Sequence, residues 1–193
     1  SGYDREELLG YNHKVIKSDE HSDAVFADMW KKISSGHTWH GEMKNTNKIG
    51  MDYWVMTTIV PTLNDEGKPF QYVAIRTEIT ERKQVEEKLK RIAHYDLLTD
   101  LPNRVLLADR LSHAMVQCQR RMRSLAVAFL DLDGFKRIND THGHHVGDEL
   151  LIVVSQRMKK ALRKGDTLAR IGGDEFVVVM VDLENIEDSK PVL

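Results

Sequence analysis

Apolar positions along the chain follow two rhythms. Between Thr38 and Thr80 they gather in short aromatic and β-branched runs, Trp39–Met43, Tyr53–Val60 and Phe70–Ile75, which predict three strands. Asn47-Lys48-Ile49-Gly50 and Asn64-Asp65-Glu66-Gly67 supply turn residues between them, so the strands are expected to be antiparallel. Just before, Val25, Phe26, Met29, Trp30 and Ile33 recur at helical spacing and predict a helix over Ser22–Ile33 on one side of that sheet. A charged segment follows, Thr80–Ile92, without Gly or Pro, in which Val85, Leu89 and Ile92 form a narrow apolar stripe. The stripe suits either a solvated connecting helix or a short parallel coiled coil between two protomers.

From Asp96 onward helix and strand rhythms alternate. Asn103–Arg121 and Asp148–Leu162 predict helices, Leu125–Leu130 a buried strand, and Thr167–Val181 a hairpin folded about Gly172-Gly173. Gly134 to Gly147 is a polar, glycine-punctuated stretch and is expected to be a loop opening the next helix. The expected fold class is α+β: an antiparallel sheet module, a helical linker, then a partial α/β sheet domain covered by helices.

Composition narrows the class. Of 193 residues 41% are hydrophobic and 30% charged, a globular balance. Lys and Arg number 28 against 30 Asp and Glu, leaving no basic surplus for nucleic acid. The single Cys118 excludes an internal disulfide and fits a reducing compartment. No apolar run approaches the roughly 20 residues that span a bilayer. Ser1–Glu7 is polar and acidic, unlike a signal peptide. A cytoplasmic location is expected, with any membrane anchor of a longer parent lying upstream.

Carboxylates stand where chemistry is expected. Asp131 and Asp133 follow an apolar strand directly, a position that commonly carries ligands. Arg170-Ile171-Gly172-Gly173-Asp174-Glu175-Phe176 sets two carboxylates beside two glycines, so a bulky ligand can approach the backbone. Together they suggest a Mg²⁺-assisted nucleotide site. Asp148 either caps a helix or accepts hydrogen bonds from a base. His142, His144 and His145 lack a Cys or a spaced partner pair, so they are read as loop residues rather than zinc ligands. No Walker-type loop and no Gly-x-Gly-x-x-Gly occurs.

Three segments in order, Asp96-Leu97-Leu98-Thr99-Asp100-Leu101-Pro102-Asn103-Arg104, Asp131 to Asp148, and Gly172 to Phe176, closely resemble the GGDEF family of diguanylate cyclases. These enzymes have a nucleotidyl-cyclase-like domain and join two GTP molecules into cyclic di-GMP with release of pyrophosphate. One GTP is held by each of two facing domains. The resemblance implies that Asp131, the Leu132 carbonyl, Asp174 and Glu175 hold Mg²⁺ (or Mn²⁺), with Asp174 or Glu175 helping to deprotonate the 3′-hydroxyl. It implies guanine contacts at Asn139 and Asp148, phosphate neighbours at Phe135 and Lys136, and backbone approach at Gly172 and Gly173. It implies a product-inhibition site at Arg163 and Asp166, with Arg170 as a helper.

Upstream, Gly2-Tyr3-x-x-Glu6-Glu7-Leu8-x-Gly10, Trp39-x-Gly41-Glu42, Gly50-x-x-Tyr53-Trp54, Tyr72–Ile75 and Glu78–Lys83 resemble a PAS sensor domain with its C-terminal motif. Such domains sense ligands or cofactors and act through an exit helix. Haem or non-covalent flavin is left open as a PAS ligand, while a flavin–cysteine adduct is not expected, because Cys118 lies in the other region. Trp30, Trp39 and Trp54 are read as core or sheet residues rather than a cofactor cage. The expected organisation is PAS over 1–80, N-terminally incomplete, a signalling helix over 81–95, and GGDEF over 96–193, C-terminally incomplete. The family's later basic pair lies beyond Leu193, so the isolated chain is expected to be inactive. The expected function of the parent is a sensor-regulated, product-inhibited diguanylate cyclase, a homodimer through the linker helix. The alternative is an inactive GGDEF domain serving as a cyclic di-GMP or GTP receptor, or as a dimerising relay to another output domain.

Overall fold

The computed structural model describes residues 1–11, 13–16, 18 and 23–184. It divides into two compact units, Ser1–Glu86 and Glu87–Leu193. Among the described residues no helix is long and apolar enough to cross a membrane.

In the first unit a short α1 (Arg5–Leu8) and a 3-10 turn (His13–Ile16) precede α2 (Asp23–Ser34). Ser22, the expected start of that helix, lies outside the described residues. Three strands follow, β1 (Trp39–Thr46), β2 (Asp52–Leu63) and β3 (Pro69–Glu78), antiparallel in the order β1-β2-β3. Both hairpins use the same turn chemistry. Asn47 Oδ1 accepts from the Ile49 and Met51 amides, and Asn64 Oδ1 from those of Glu66 and Lys68. Val55 and Ile59 of β2 and Trp39 and Met43 of β1 close one face of the sheet over Met29 and Ile33 of α2. Trp39 and Trp54 are sheet residues, Trp39 buried and Trp54 half-buried with Lys83 over its ring, whereas Trp30, expected in the core or sheet, is an exposed residue of α2 that meets Tyr72 edge to face at 6.1 Å.

Helix α3 (Thr80–His94) begins at the end of this sheet and buries none of its residues. Its first turn is fastened to the first unit. Thr80 Oγ1 accepts from the Trp54 amide at 3.0 Å, and Glu42 pairs with both Arg82 and Lys83. Val85, Leu89 and Ile92 are exposed.

The second unit contains α4 (Arg104–Arg121), β4 (Ser124–Asp131), α5 (Phe135–His142), α6 (His144–Ala161), β5 (Thr167–Gly172) and β6 (Glu175–Leu183). Asn103 caps α4, its Oδ1 accepting from the Val105 and Leu106 amides. The described sheet is antiparallel, in the order β4-β6-β5. β6 lies at its centre and is buried on both faces. Phe176, Val178 and Met180 pack with Leu101, Leu151 and Leu168, while Val177 and Val179 pack with Leu107 and Ala169.

Two segments differ from the expectation their sequence raises. The strand expected to be buried over Leu125–Leu130 is an edge strand of the described sheet, with Phe129 76% exposed. Only Ala126, Ala128 and Leu130 turn toward the Phe176 core, since alternate side chains face opposite ways. The stretch from Gly134 to Gly147 is no loop. Gly134 (φ 78°) and Gly143 (φ 85°) bracket the helix α5, and the Gly143 amide closes it by donating to Asn139 O at 2.8 Å. α6 therefore starts at His144, four residues before the expected start, and Asp148 lies inside the helix rather than capping it.

Candidate functional site

The β5–β6 hairpin turns through Gly173 and Asp174, with Gly172 paired to Glu175. Gly173 has φ 50°, while Asp174 has negative φ, the φ pattern of a type II′ turn that favours glycine first. A Cβ on Gly172 or Gly173 would meet nothing within 4 Å, so the tip stands in open space.

Two of the carboxylates stand opposite each other in the ladder beside this turn. Asp131, last in β4, pairs directly with Glu175, first in β6. Paired residues of an antiparallel ladder share a face with Cβ atoms about 5 Å apart. Asp131 and Glu175 thus stand together on the face opposite the Leu130–Phe176 pair, and both are exposed, with Asp174 adjacent at the turn. The neighbouring Leu132 carbonyl accepts from the Phe135 amide at 3.1 Å. Hard oxygen donors of this kind fit Mg²⁺ or Mn²⁺.

The three residues Leu132–Gly134 join β4 to α5 and so bring a second group beside the first. Lys136 is exposed and Phe135 half-buried on the first turn of α5. Asn139, one turn on, packs against Gly147 of α6, where any Cβ would run into its Oδ1. That Oδ1 is buried and has no hydrogen-bond partner. Asp148, next to Gly147, is exposed.

Arg163 and Asp166 are not part of this cluster. They precede β5, whose far end carries Gly172, about 17 Å away at the rise of an extended strand. Asp166 Oδ2 accepts from the Arg163 amide at 3.0 Å and Oδ1 from the Val181 amide at 3.2 Å, while the Arg163 side chain is exposed. Arg170 does not join them. Its Nε and Nη2 donate to Gly173 O at 2.9 and 2.6 Å, and its Nη1 to Asp96 Oδ1 at 3.0 Å. Burial pushes the Asp96 carboxyl up, but hydrogen bonds from Thr99 and Arg170 outweigh it and hold the pKa below the ordinary value. The Asp96–Arg170 contact is the site feature that the sequence reading missed. Its partners stand 74 residues apart, and no spacing rule connects them.

The family model of the diguanylate cyclase GGDEF domain matches residues 93–191, about half of the chain. The chain belongs to the GGDEF family. Residues 1–81 match a PAS domain, so a PAS domain precedes the GGDEF domain. The bifunctional diguanylate cyclase/cyclic di-GMP phosphodiesterase MucR of Pseudomonas aeruginosa is 50% identical over 101 residues, covering 52% of this chain and 15% of MucR. A truncated TpbB from the same organism, comprising only the GGDEF domain, is 42% identical with a TM-score of 0.50, over 51% of this chain and 58% of that one. The coiled coil and GGDEF domain of DgcB from Caulobacter crescentus, solved with cyclic di-GMP, is 27% identical with a TM-score of 0.53, over 59% of this chain and 60% of that one. The chain spans less than a third of the length of the curated relatives it matches.

Among the described residues of the PAS domain, a narrow cavity is lined by Ile16, Phe26, Met29, Met43, Asn45, Ile59 and Arg76. At about 30 Å³ it has the volume of a single water, and these lining residues include no histidine or cysteine. Haem and flavin do not fit this cavity.

Proposed function

We propose that the protein carrying this chain is a sensor-regulated diguanylate cyclase. The observation that carries the reading is the pairing of Asp131 with Glu175 beside the open Gly172-Gly173 turn. Asp131, Glu175, Asp174 and the Leu132 carbonyl would hold Mg²⁺, which neutralises charge on a triphosphate when bound. The open turn leaves backbone amides free to approach phosphate oxygens, and Lys136 adds a cation near them. Asp174 or Glu175 accepts the proton of the 3′-hydroxyl. Each 3′-oxygen then forms a bond to the α-phosphorus of the other GTP, the bond to the bridging α,β-oxygen breaks, and pyrophosphate leaves.

The unpartnered Asn139 Oδ1 supports guanine at the second group. A buried acceptor without a donor costs free energy that a base N–H removes. Guanine offers N1–H and N2–H to Asn139 and Asp148, where adenine presents an acceptor at N1. Because each domain holds one GTP, the reaction requires a second copy. The exposed stripe Val85, Leu89 and Ile92 on α3 suits that pairing. Domain limits of 1–80, 81–95 and 96–193 belong to the same proposal. So does product inhibition at Arg163, whose side chain is exposed on a loop that Asp166 rigidifies by accepting from the Arg163 and Val181 amides.

The test is to incubate the full-length protein with GTP and Mg²⁺ and detect cyclic di-GMP by chromatography. Product from the wild type and none from the Asp174→Ala, Glu175→Ala double variant is expected. Nucleotide binding without product in the wild type overturns the cyclase reading.

A further inference from the structure

The hairpin that carries Asp174 and Glu175 has little to hold its tip. No atom lies within 4 Å of a Cβ built on Gly172 or Gly173, so side-chain packing does not fix the turn. A two-residue turn beside glycines keeps considerable freedom unless something outside the ladder restrains it. Two residues before Gly172, Arg170 supplies that restraint. Its side chain is only 11% exposed although it is charged and close to the hairpin end. Nε and Nη2 grip the Gly173 carbonyl together, which fixes the orientation of the peptide between Gly173 and Asp174.

The guanidinium is held in turn from behind. Nη1 donates to Asp96 Oδ1, and the same oxygen accepts from the Thr99 amide at 2.9 Å and from Thr99 Oγ1 at 2.6 Å. The Asp96 loop is closed by its own amide donating to Leu101 O, and by the Asp100 amide donating to Asp96 O. The Arg170 backbone amide adds a bond to Pro102 O at 3.0 Å. The next residue, Asn103, donates its amide to His94 O and its Nδ2 to Ala93 O, both in the last turn of α3. A continuous hydrogen-bonded route thus runs from the end of α3 through Asn103, Pro102 and Arg170 to the Gly173 carbonyl.

We propose that Arg170, anchored by Asp96, is a positioning residue that sets the Gly173–Asp174 peptide and thereby aims Asp174 and Glu175 at the site shared with Asp131. The inference rests on the metal-carboxylate reading of the site. It assigns Arg170 to the turn rather than to the Arg163 loop. It also gives the last turn of α3 a mechanical connection to the carboxylates. Lysine cannot replace arginine here. It can face Asp96 with one charge, but it has no planar fork to place two N–H groups on one carbonyl while holding a third on the carboxylate.

The experiment compares wild type, Arg170→Lys and Arg170→Ala in the full-length protein. Mn²⁺ binding is followed by the loss of the free Mn²⁺ resonance, with a GTP analogue whose α,β-bridge cannot be cleaved. kcat, KM for GTP and the thermal unfolding midpoint are measured in parallel. For Arg170→Lys the expected result is a kcat loss of about 10- to 100-fold and a comparable loss of Mn²⁺ affinity, as misplacement by about an ångström produces. KM stays within about twofold, because the guanine contacts lie on α5 and α6. The unfolding midpoint of this variant stays near that of the wild type. Arg170→Ala is expected to lose at least as much kcat, with a lower midpoint. Wild-type kcat and Mn²⁺ affinity in Arg170→Lys overturn the proposal. So does a midpoint that falls in Arg170→Lys with no change in Mn²⁺ affinity, since that marks a purely structural role. A wild type that neither turns over GTP nor binds Mn²⁺ with the analogue overturns the site reading itself, and the positioning role falls with it.

Discussion

Both units contain a three-stranded antiparallel sheet, ordered β1-β2-β3 in the PAS domain and β4-β6-β5 in the GGDEF domain, yet their strands are buried differently. In the PAS sheet the core-facing positions of β2, Val55, Thr57 and Ile59, alternate with half-exposed ones, and the edge strand β3 leaves Phe70, Val73 and Ile75 exposed. In the GGDEF sheet β6 buries every residue from Phe176 to Met180, because apolar clusters lie on both faces. A strand clamped on both faces is a rigid rod, and the carboxylates stand at its end. Among the described residues the PAS sheet has an apolar cluster on one face only. Its polar fastenings run instead to the first turn of α3, through Glu42 to Arg82 and Lys83. Rigid burial goes with a fixed placement of the carboxylates proposed to hold the metal, and one-sided burial goes with a joint to a helix.

The comparison breaks most visibly at the strands themselves. Phe176→Ala is expected to destabilise the GGDEF domain by about 3–5 kcal/mol, the range for a buried aromatic. Ile75→Ala on the open edge of the PAS sheet should change stability by less than about 0.5 kcal/mol. Denaturant unfolding of each variant measures both, and equal losses would end the distinction between the two sheets.

A smaller effect separates the two halves of the GGDEF site. Asp148→Asn should raise KM for GTP about 10- to 100-fold, the loss expected for hydrogen bonds to a charged acceptor, and leave kcat nearly unchanged. Steady-state kinetics would show the reverse pattern, lower kcat at constant KM, if Asp148 belonged with the metal carboxylates.

How far the sequence anticipated these features depends on the range of the interactions. The Asn47 and Asn64 turns and the Gly172-Gly173 hairpin rest on local chemistry within a few residues, and their positions could be read directly. Helix α5 could not. Gly134 and Gly143 look like loop residues, although they bracket a helix, and Asn139, Asp140 and Thr141 are poor helix formers in a segment whose Phe135 and Asn139 pack against Gly147. The half-exposed state of β4 was hidden because Leu125–Leu130 is apolar at every position, which conceals which face is covered. The motifs point to Asp131 and the turn carboxylates as one site, but the register that sets Asp131 opposite Glu175 is a long-range property. Asp96 and Arg170 are linked only through the folded chain, and no local pattern announces them.

The smallest effect concerns that last pair. The Asp96 pKa is lowered in the folded state, so its contribution to stability is present above the unfolded value of about 3.9. It is lost as pH falls from about 4 through the lowered folded value. Asp96→Asn should therefore remove part of the acid sensitivity of the GGDEF domain while changing little in the PAS domain. Unfolding midpoints between pH 3 and pH 7 check this, and an unchanged acid limb in the variant would contradict it.

The Asp131–Glu175 pair is the centre of the proposed site, and the most direct measurement is cyclic di-GMP formation from GTP and Mg²⁺ by the full-length protein carrying Asp131→Asn or Glu175→Gln. Both substitutions keep side-chain size and remove one negative charge. Either substitution is expected to lower the rate on the order of 10²–10³-fold or more, because a preorganised charge is lost from the site. Wild-type rates from either variant would contradict the proposed site.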